Sequence, residues 1–251
     1  MSGSGALPEI EVALDHLREV VQRTVRAEQL VDQLTKLNND DALNEWIQSQ
    51  TDVADDFWLA FIEVDRFKSV NDEFGYDDAD ELLRRIAEQL KNAAANFFLS
   101  PARAFRAHGD EFFIGGAGNG EGVAEALDQI RTSIGALRVK AESMPKPMRC
   151  TVSVGWATSV DAQGSGKDLT QRSLRGLLET AVAEAKRERN RVLRYDPSME
   201  KSATREGRAD CGACRSQFTL IVAIEDKHTE SLRCPNCGNE IERPVSLRPE
   251  S

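Results

Sequence analysis

Two kinds of metal chemistry can be read from the residue spacing in this 251-residue chain. Cys211-x-x-Cys214 and Cys234-x-x-Cys237 form two pairs with nineteen residues between them. Thiolates at this spacing can meet around one tetrahedral zinc ion, each pair on a tight turn. Gly212, Pro235 and Gly238 supply turn-compatible backbone. Two disulfides are the alternative chemistry. Met1-Ser2-Gly3-Ser4-Gly5 has neither the basic region nor the apolar region of a secretory signal, so an oxidising compartment has no support. The fifth cysteine, Cys150, lies in the strand-like run 148–153 and reads as a small buried apolar residue. The second chemistry belongs to carboxylates. Glu63-Val64-Asp65 ends an apolar run, and His108-Gly109-Asp110-Glu111-Phe112 sits between two strand-like runs. A strand end beside a hairpin tip can gather carboxylates around a hard cation.

The elements that must position these groups follow from hydrophobic periodicity. Residues 8–36 predict one amphipathic helix. Ile10, Ala13, Leu17, Val20, Thr24, Ala27, Val31 and Leu34 recur at three- and four-residue steps, a coiled-coil-like stripe. Residues 58–64 predict an apolar strand and 79–99 a helix with Leu82, Leu83, Ile86, Leu90 and Ala93 on one face. Two short strands are expected in 103–114, a helix in 121–137, a strand in 150–157 and a last helix within 169–189. Strands alternating with helices give an α/β or α+β core with a mixed sheet. Residues 196–210 are polar and broken by Pro and Gly, as in a linker. In the cysteine module, 218–223 is the one evident strand.

Composition bounds the function. The chain is 40% hydrophobic and 29% charged, ordinary for a soluble globular protein. No apolar run approaches the roughly 20 residues of a membrane-spanning helix. A net charge of −10 argues against a general nucleic-acid coat protein or an anionic-membrane binder. Between Arg208 and Arg243 five basic residues face six acidic ones, so the cysteine module has no electrostatic reason to bind nucleic acid.

Taken in order, five segments resemble the GGDEF family of diguanylate cyclases. Residues 32–39 (Asp-Gln-Leu-Thr-Lys-Leu-Asn-Asn) are similar to its opening D-x-L-T-G-L-x-N. Residues 63–72 (Glu-Val-Asp-Arg-Phe-Lys-Ser-Val-Asn-Asp) resemble D-x-D-x-F-K-x-x-N-D, continuing through Gly75 to Asp80. Arg106-Ala107-His108-Gly109-Asp110-Glu111-Phe112 stands where R-x-G-G-D-E-F belongs. Ser153-Val154-Gly155 matches S-x-G, and residues 185–190 (Ala-Lys-Arg-Glu-Arg-Asn) resemble A-K-x-x-G-R-N. The resemblance implies a palm-like α/β (α+β) nucleotidyl cyclase domain with a central mixed sheet. With the other segments the expected organisation is an N-terminal helix (1–31), the cyclase domain (32–197), a linker (198–207) and a four-cysteine zinc ribbon (208–247).

The resemblance also implies roles. Mg²⁺, or Mn²⁺, would be held by Glu63, Asp110 and the Val64 carbonyl. Glu111 would assist activation of a 3′-hydroxyl or serve as a further ligand. Lys186 and Arg189 would balance the triphosphate of GTP, and Asn71 and Asp80 would read guanine. Asp80 can accept from the base's N1–H and N2–H₂ donors, a pair that adenine lacks. The expected reaction condenses two GTP into cyclic di-GMP or a related cyclic dinucleotide, with pyrophosphate release, between two subunits of a homodimer or higher homo-oligomer. The expected setting is cytoplasmic, with a protein partner for the zinc ribbon. Several positions depart from the family pattern. Glu63 replaces the first aspartate, His108 the first signature glycine, and Asp40 stands in place of an arginine. Arg189 follows Lys186 by three residues rather than four, and the R-x-x-D product-inhibition motif is missing at residues 99–102. Two other readings stay open: a nucleotide polymerase or cyclase of other specificity, related to the palm of CRISPR type III effectors, and a nucleotide-sensing scaffold without turnover.

Overall fold

The computed structural model describes residues 6–53, 56–164, 170–202, 204–215, 217–223, 232–234 and 236–241. Strand β1 (Phe57–Val64) is the middle of a five-stranded mixed sheet of order β2-β3-β1-β4-β5. It runs antiparallel to β3 (Glu111–Ala117) and to β4 (Val152–Thr158). β2 (Ala102–Arg106) pairs with β3 as a hairpin, and β5 (Val192–Arg194) lies parallel to β4.

The unbroken apolar run of β1 reflects a strand covered on both faces. Trp58, Ala60, Ile62 and Val64 enter one core, packed by α3 (Phe67–Phe74), α4 (Tyr76–Asn96) and α5 (Val123–Ala136). Phe57, Leu59 and Phe61 enter the other, packed by α2 (Asp40–Val53) and α7 (Gln171–Glu188). Because side chains alternate along a strand, Glu63 shares the α7 side with Phe61. α4 buries Ala79, Leu82, Leu83, Ile86, Leu90 and Ala93, the three- and four-residue stripe that the sequence predicts. The short α6 (Ser159–Gly164) follows β4.

The N-terminal helix is shorter than its periodicity suggests: α1 spans Ala6–Gln29, not 8–36. The Asp32 carboxylate accepts the Thr35 N–H (2.8 Å) and hydroxyl (2.6 Å), a side-chain turn that competes with continued helix. Lys36 then takes a left-handed φ of 59°. Val31 and Leu34 therefore leave the stripe, while Leu14, Leu17, Val20, Val21 and Val25 stay exposed on α1. Helix α2 was not foreseen. The 198–207 stretch, expected as a linker, holds α8 (Ser198–Ser202) and the start of β6 (Thr204–Asp210). β6 pairs antiparallel with β7 (Gln217–Ala223), and β8 (Leu232–Arg233) pairs with β9 (Glu240–Ile241). The remainder of the 208–247 module, Pro235 included, and residues 1–5 lie outside the described residues. Among the described residues no helix is long and apolar enough to cross a membrane.

Candidate active site

Strand register assembles the carboxylates. Glu63, one residue from the end of β1, lies directly opposite Glu111 of β3 and Ser153 of β4. The Val64 N–H donates to the Asp110 carbonyl at 3.3 Å, which ties the hairpin tip to the end of β1. Lys186, in the last turn of α7, forms an ion pair with Glu63. Three carboxylates beside one lysine leave a cation-seeking site, since like charges directly opposite across a sheet repel. Burial raises the Asp110 carboxyl above its usual range, and the charge of Glu63 raises it further. Burial, then Glu63, raises Glu111 in the same way. Beside them a cleft of about 310 Å³ is lined by Phe61, Phe113, Glu63, Glu111, Arg175 and Lys186, among others.

The hairpin tip is held from two sides. The Glu111 N–H donates to the His108 carbonyl (2.7 Å), and Ala107 N–H donates to the Glu111 carbonyl (3.0 Å). Arg106 donates from Nε and Nη2 to the Gly109 carbonyl (3.0 and 2.7 Å), and from Nη1 to Asp32 (3.0 Å). Burial pushes Asp32 up, but the Thr35 donors and Arg106 outweigh it and hold the carboxyl below its usual value. The first and third motifs of the sequence thus form one clamp. His108 fits where the family has glycine because the positive φ falls on the next residue, Gly109 (φ 45°). Its side chain is 71% exposed, with Nδ1 3.9 Å from Glu111.

Sequence reasoning gave no role to Asp65, Asp78 or Arg175. Asp65 is buried and accepts from the Thr151 hydroxyl (2.6 Å), the Ser153 hydroxyl (2.7 Å) and the Asn190 N–H (3.0 Å). With three donors satisfied it joins β1, β4 and the end of α7 rather than offering itself to a metal. Asp78, buried at the start of α4, accepts the Ser143 hydroxyl and the Glu142 and Ser143 N–H groups, which hold its carboxyl down. Arg175 of α7 pairs with Asp40 and stacks over the Phe113 ring at 5.2 Å. Asp40 stands where the family has an arginine, and it is paired with this cation of α7. Asn71 (α3) and Asp80 (α4) are half-buried on either side of Gly75, whose φ of 86° separates the two helices. Leu99, where the product-inhibition motif would start, is 82% exposed.

The last motif shows backbone strain. Arg189 has φ 60° and ψ 168°, a region that essentially only glycine occupies, and Asn190 follows at φ 52°. Position 189 is therefore where the motif's glycine belongs, and the chain carries a substitution there. Such strain costs on the order of 1–3 kcal/mol. Arg189→Gly should raise stability by about 1 kcal/mol, read by thermal or urea unfolding. A lower melting point would contradict the strain argument.

Among the described residues, only Cys211, Cys214, Cys234 and Cys237 bring three or more ligand atoms within 4.8 Å of one another. Glu63, Asp110 and Glu111 adjoin one another but do not bring three carboxylate oxygens that close, and Glu63 is paired with Lys186. That arrangement still fits Mg²⁺, which takes one or two carboxylates and completes its shell with water and phosphate oxygens. Cys150 is 7% exposed, and burial pushes its thiol up to about 12, as suits a core residue.

Comparison with known proteins places this geometry. The family model described as "Diguanylate cyclase, GGDEF domain" matches residues 29–191. The diguanylate cyclase DosC of Escherichia coli is 28% identical over 189 residues, covering 73% of this chain and 39% of DosC. The diguanylate cyclase DgcP of Pseudomonas aeruginosa is 27% identical over 155 residues, 59% of this chain and 22% of DgcP. The chain thus spans well under half the length of these curated relatives. The solved coiled-coil and GGDEF domain of DgcB from Caulobacter crescentus, in complex with c-di-GMP, superposes with a TM-score of 0.60 at 26% identity. It covers 77% of this chain and all of that one. With its hairpin, carboxylates and α7 lysine in the order of the motifs, the chain belongs to the GGDEF diguanylate cyclase family.

Proposed function

We propose that the chain condenses two GTP into cyclic di-GMP or a related cyclic dinucleotide, releasing pyrophosphate, across a homodimer. The observation that carries this reading is the register that sets Glu63 against Glu111, with Asp110 tied to Val64 beside them. Glu63, Asp110 and the Val64 carbonyl are the groups that would hold Mg²⁺ or Mn²⁺. An ion held there would neutralise the triphosphate and sharpen the α-phosphorus as an electrophile. Glu111 assists activation of the attacking 3′-hydroxyl by taking its proton, or serves as a further metal ligand. Lys186 exchanges Glu63 for the triphosphate; Arg189 stands at the motif's glycine position, so the role of second cation is not carried over to it. Asn71 and Asp80 read guanine. Each chain presents one such site, so attack on a second nucleotide's α-phosphate needs a second copy, and the exposed Leu14, Leu17 and Val21 of α1 offer it an apolar stripe.

Asp80 makes the base preference testable. Parent protein should turn over GTP at least about tenfold faster than ATP, roughly the 1.4 kcal/mol of one good hydrogen bond. Asp80→Ala should narrow that ratio. Equal use of ATP by the parent would favour a nucleotide polymerase of other specificity.

Metal binding should depend on pH with a definite sign. Asp110 and Glu111 are raised above 3.8 and 4.5, so without metal they favour the folded state at low pH and lose that contribution as they ionise. A carboxylate must be ionised to hold Mg²⁺, and Asp110 is one of the groups that would hold it, so the ion's stabilising effect must grow as pH rises and these carboxyls ionise. At 100 times the dissociation constant, binding adds about 2.7 kcal/mol, or roughly 5–10 °C in Tm at this chain size. The Mg²⁺-induced rise should be larger at pH 8 than at pH 5, measured by differential scanning fluorimetry. An equal rise at both values would place the ion elsewhere.

A further inference from the structure

The geometry points to a second metal site, unrelated to the cyclase reading and able to stand or fall without it: we propose that Cys211, Cys214, Cys234 and Cys237 form a closed four-thiolate zinc site built from two matching turns. The turns share one backbone design. The Arg215 N–H donates to the Cys211 carbonyl at 2.8 Å, and the Gly238 N–H donates to the Cys234 carbonyl at 2.8 Å. Each turn ends four residues after its first cysteine in a left-handed residue, Arg215 at φ 58° and Gly238 at φ 75°. Backbone N–H groups of Ala213 and Cys214 are directed at the Cys211 sulfur, and that of Asn239 at Cys237. The Asn236 side-chain amide lies 3.8 Å from the Cys214 sulfur.

The two turns face each other. Across them Cys211 Sγ is 3.5 Å from Cys237 Sγ, and Cys214 Sγ is 3.6 Å from Cys234 Sγ. A tetrahedron with Zn–S bonds of about 2.3 Å has edges of about 3.8 Å. The sulfurs thus stand near the corners a zinc ion requires, and well beyond the roughly 2.05 Å of a disulfide. None of the four is joined in a disulfide, with Cys211 and Cys234 buried and Cys237 exposed. A set of four soft thiolates leaves no position for water or substrate, so the ion is structural. It joins what the backbone leaves weak. Cys211 directly follows β6, and Cys234 and Cys237 lie between the strands of the short hairpin of β8 and β9, whose two-residue strands are too short to be stable alone. Zinc is chosen over ferrous iron because thiolate sites bind it more tightly.

The test is the metal content of the full chain, purified without a metal-affinity tag. Parent protein and Cys150→Ala should each carry about one zinc per chain. The double variants Cys211→Ser/Cys214→Ser and Cys234→Ser/Cys237→Ser should each carry none. Because such variants can fail to fold, the parent is also titrated with a thiol-specific mercurial while a chelating dye reads released metal. One zinc should be released as four thiols react. Absence of metal after growth in zinc-replete medium, iron in place of zinc, zinc retained after loss of either turn, or disulfides mapped between the turns would each overturn the site.

Discussion

Asp110→Asn should reduce cyclic dinucleotide formation by about 10²–10³-fold, the loss typical when a group that stabilises transition-state charge is removed. The replacement keeps the side chain's shape and removes its charge. Its effect on the fold should have the opposite sign. The Asp110 carboxyl is raised by burial and by Glu63, so its ionised form is unfavourable in the metal-free protein. A neutral amide removes that repulsion, and the hairpin keeps its backbone bonds from Val64 to Asp110 and from Glu111 to His108. The metal-free variant should therefore melt at or above the parent temperature while losing activity. An inactive variant that melts well below the parent would mean that Asp110 is a structural residue. An active one would mean that the cation is held by other groups.

Gly155→Ala should destabilise the domain by about 3 kcal/mol, and Gly176→Ala should stabilise it. Gly155 sits in β4 opposite Phe61 of β1. A Cβ at this position would lie 2.4 Å from the Val182 nitrogen, 2.7 Å from the Leu178 oxygen and 2.8 Å from the Ala181 carbonyl carbon. All three are backbone atoms of α7, so no side chain can rotate away, and overpacking of this kind costs about 1–3 kcal/mol or more. At this chain size the loss corresponds to roughly 6–12 °C in Tm. Displacing α7 would also carry Lys186 away from Glu63, so activity should fall with stability. Gly176 lies in the middle of the same helix, and a Cβ there meets nothing within 4 Å. Alanine should add about 0.5–1 kcal/mol through helix propensity. If Gly155→Ala melts with the parent, the close approach of β4 and α7 is wrong.

These two glycines show what a sequence can and cannot disclose. Ser153-Val154-Gly155 is legible as a motif, but its reason is spatial: Ser153 bonds Asp65 across the sheet, and Gly155 admits the backbone of α7 at Leu178, Ala181 and Val182. The strand from Phe57 and the stripe of α4 were legible because periodicity reports burial directly. The end of α1 was not, since a local side-chain turn at Asp32 stops a pattern that runs on through Val31 and Leu34. The clamp from Arg106 to Asp32 spans 74 residues, and the pair of Arg175 with Asp40 spans 135. Neither has a local signature. The acidic pair Asp110-Glu111 could be read from the sequence, while its placement against Glu63 depends on strand register, which a one-residue slip would abolish.

The most direct measurement is mass-resolved product analysis after the full chain is incubated with GTP and Mg²⁺, with pyrophosphate counted alongside. Cyclic di-GMP or another guanine-containing cyclic dinucleotide, with two pyrophosphates per product, is the predicted result. Linear oligonucleotides, or GTP bound and recovered intact by a folded, Mg²⁺-loaded protein, would contradict it.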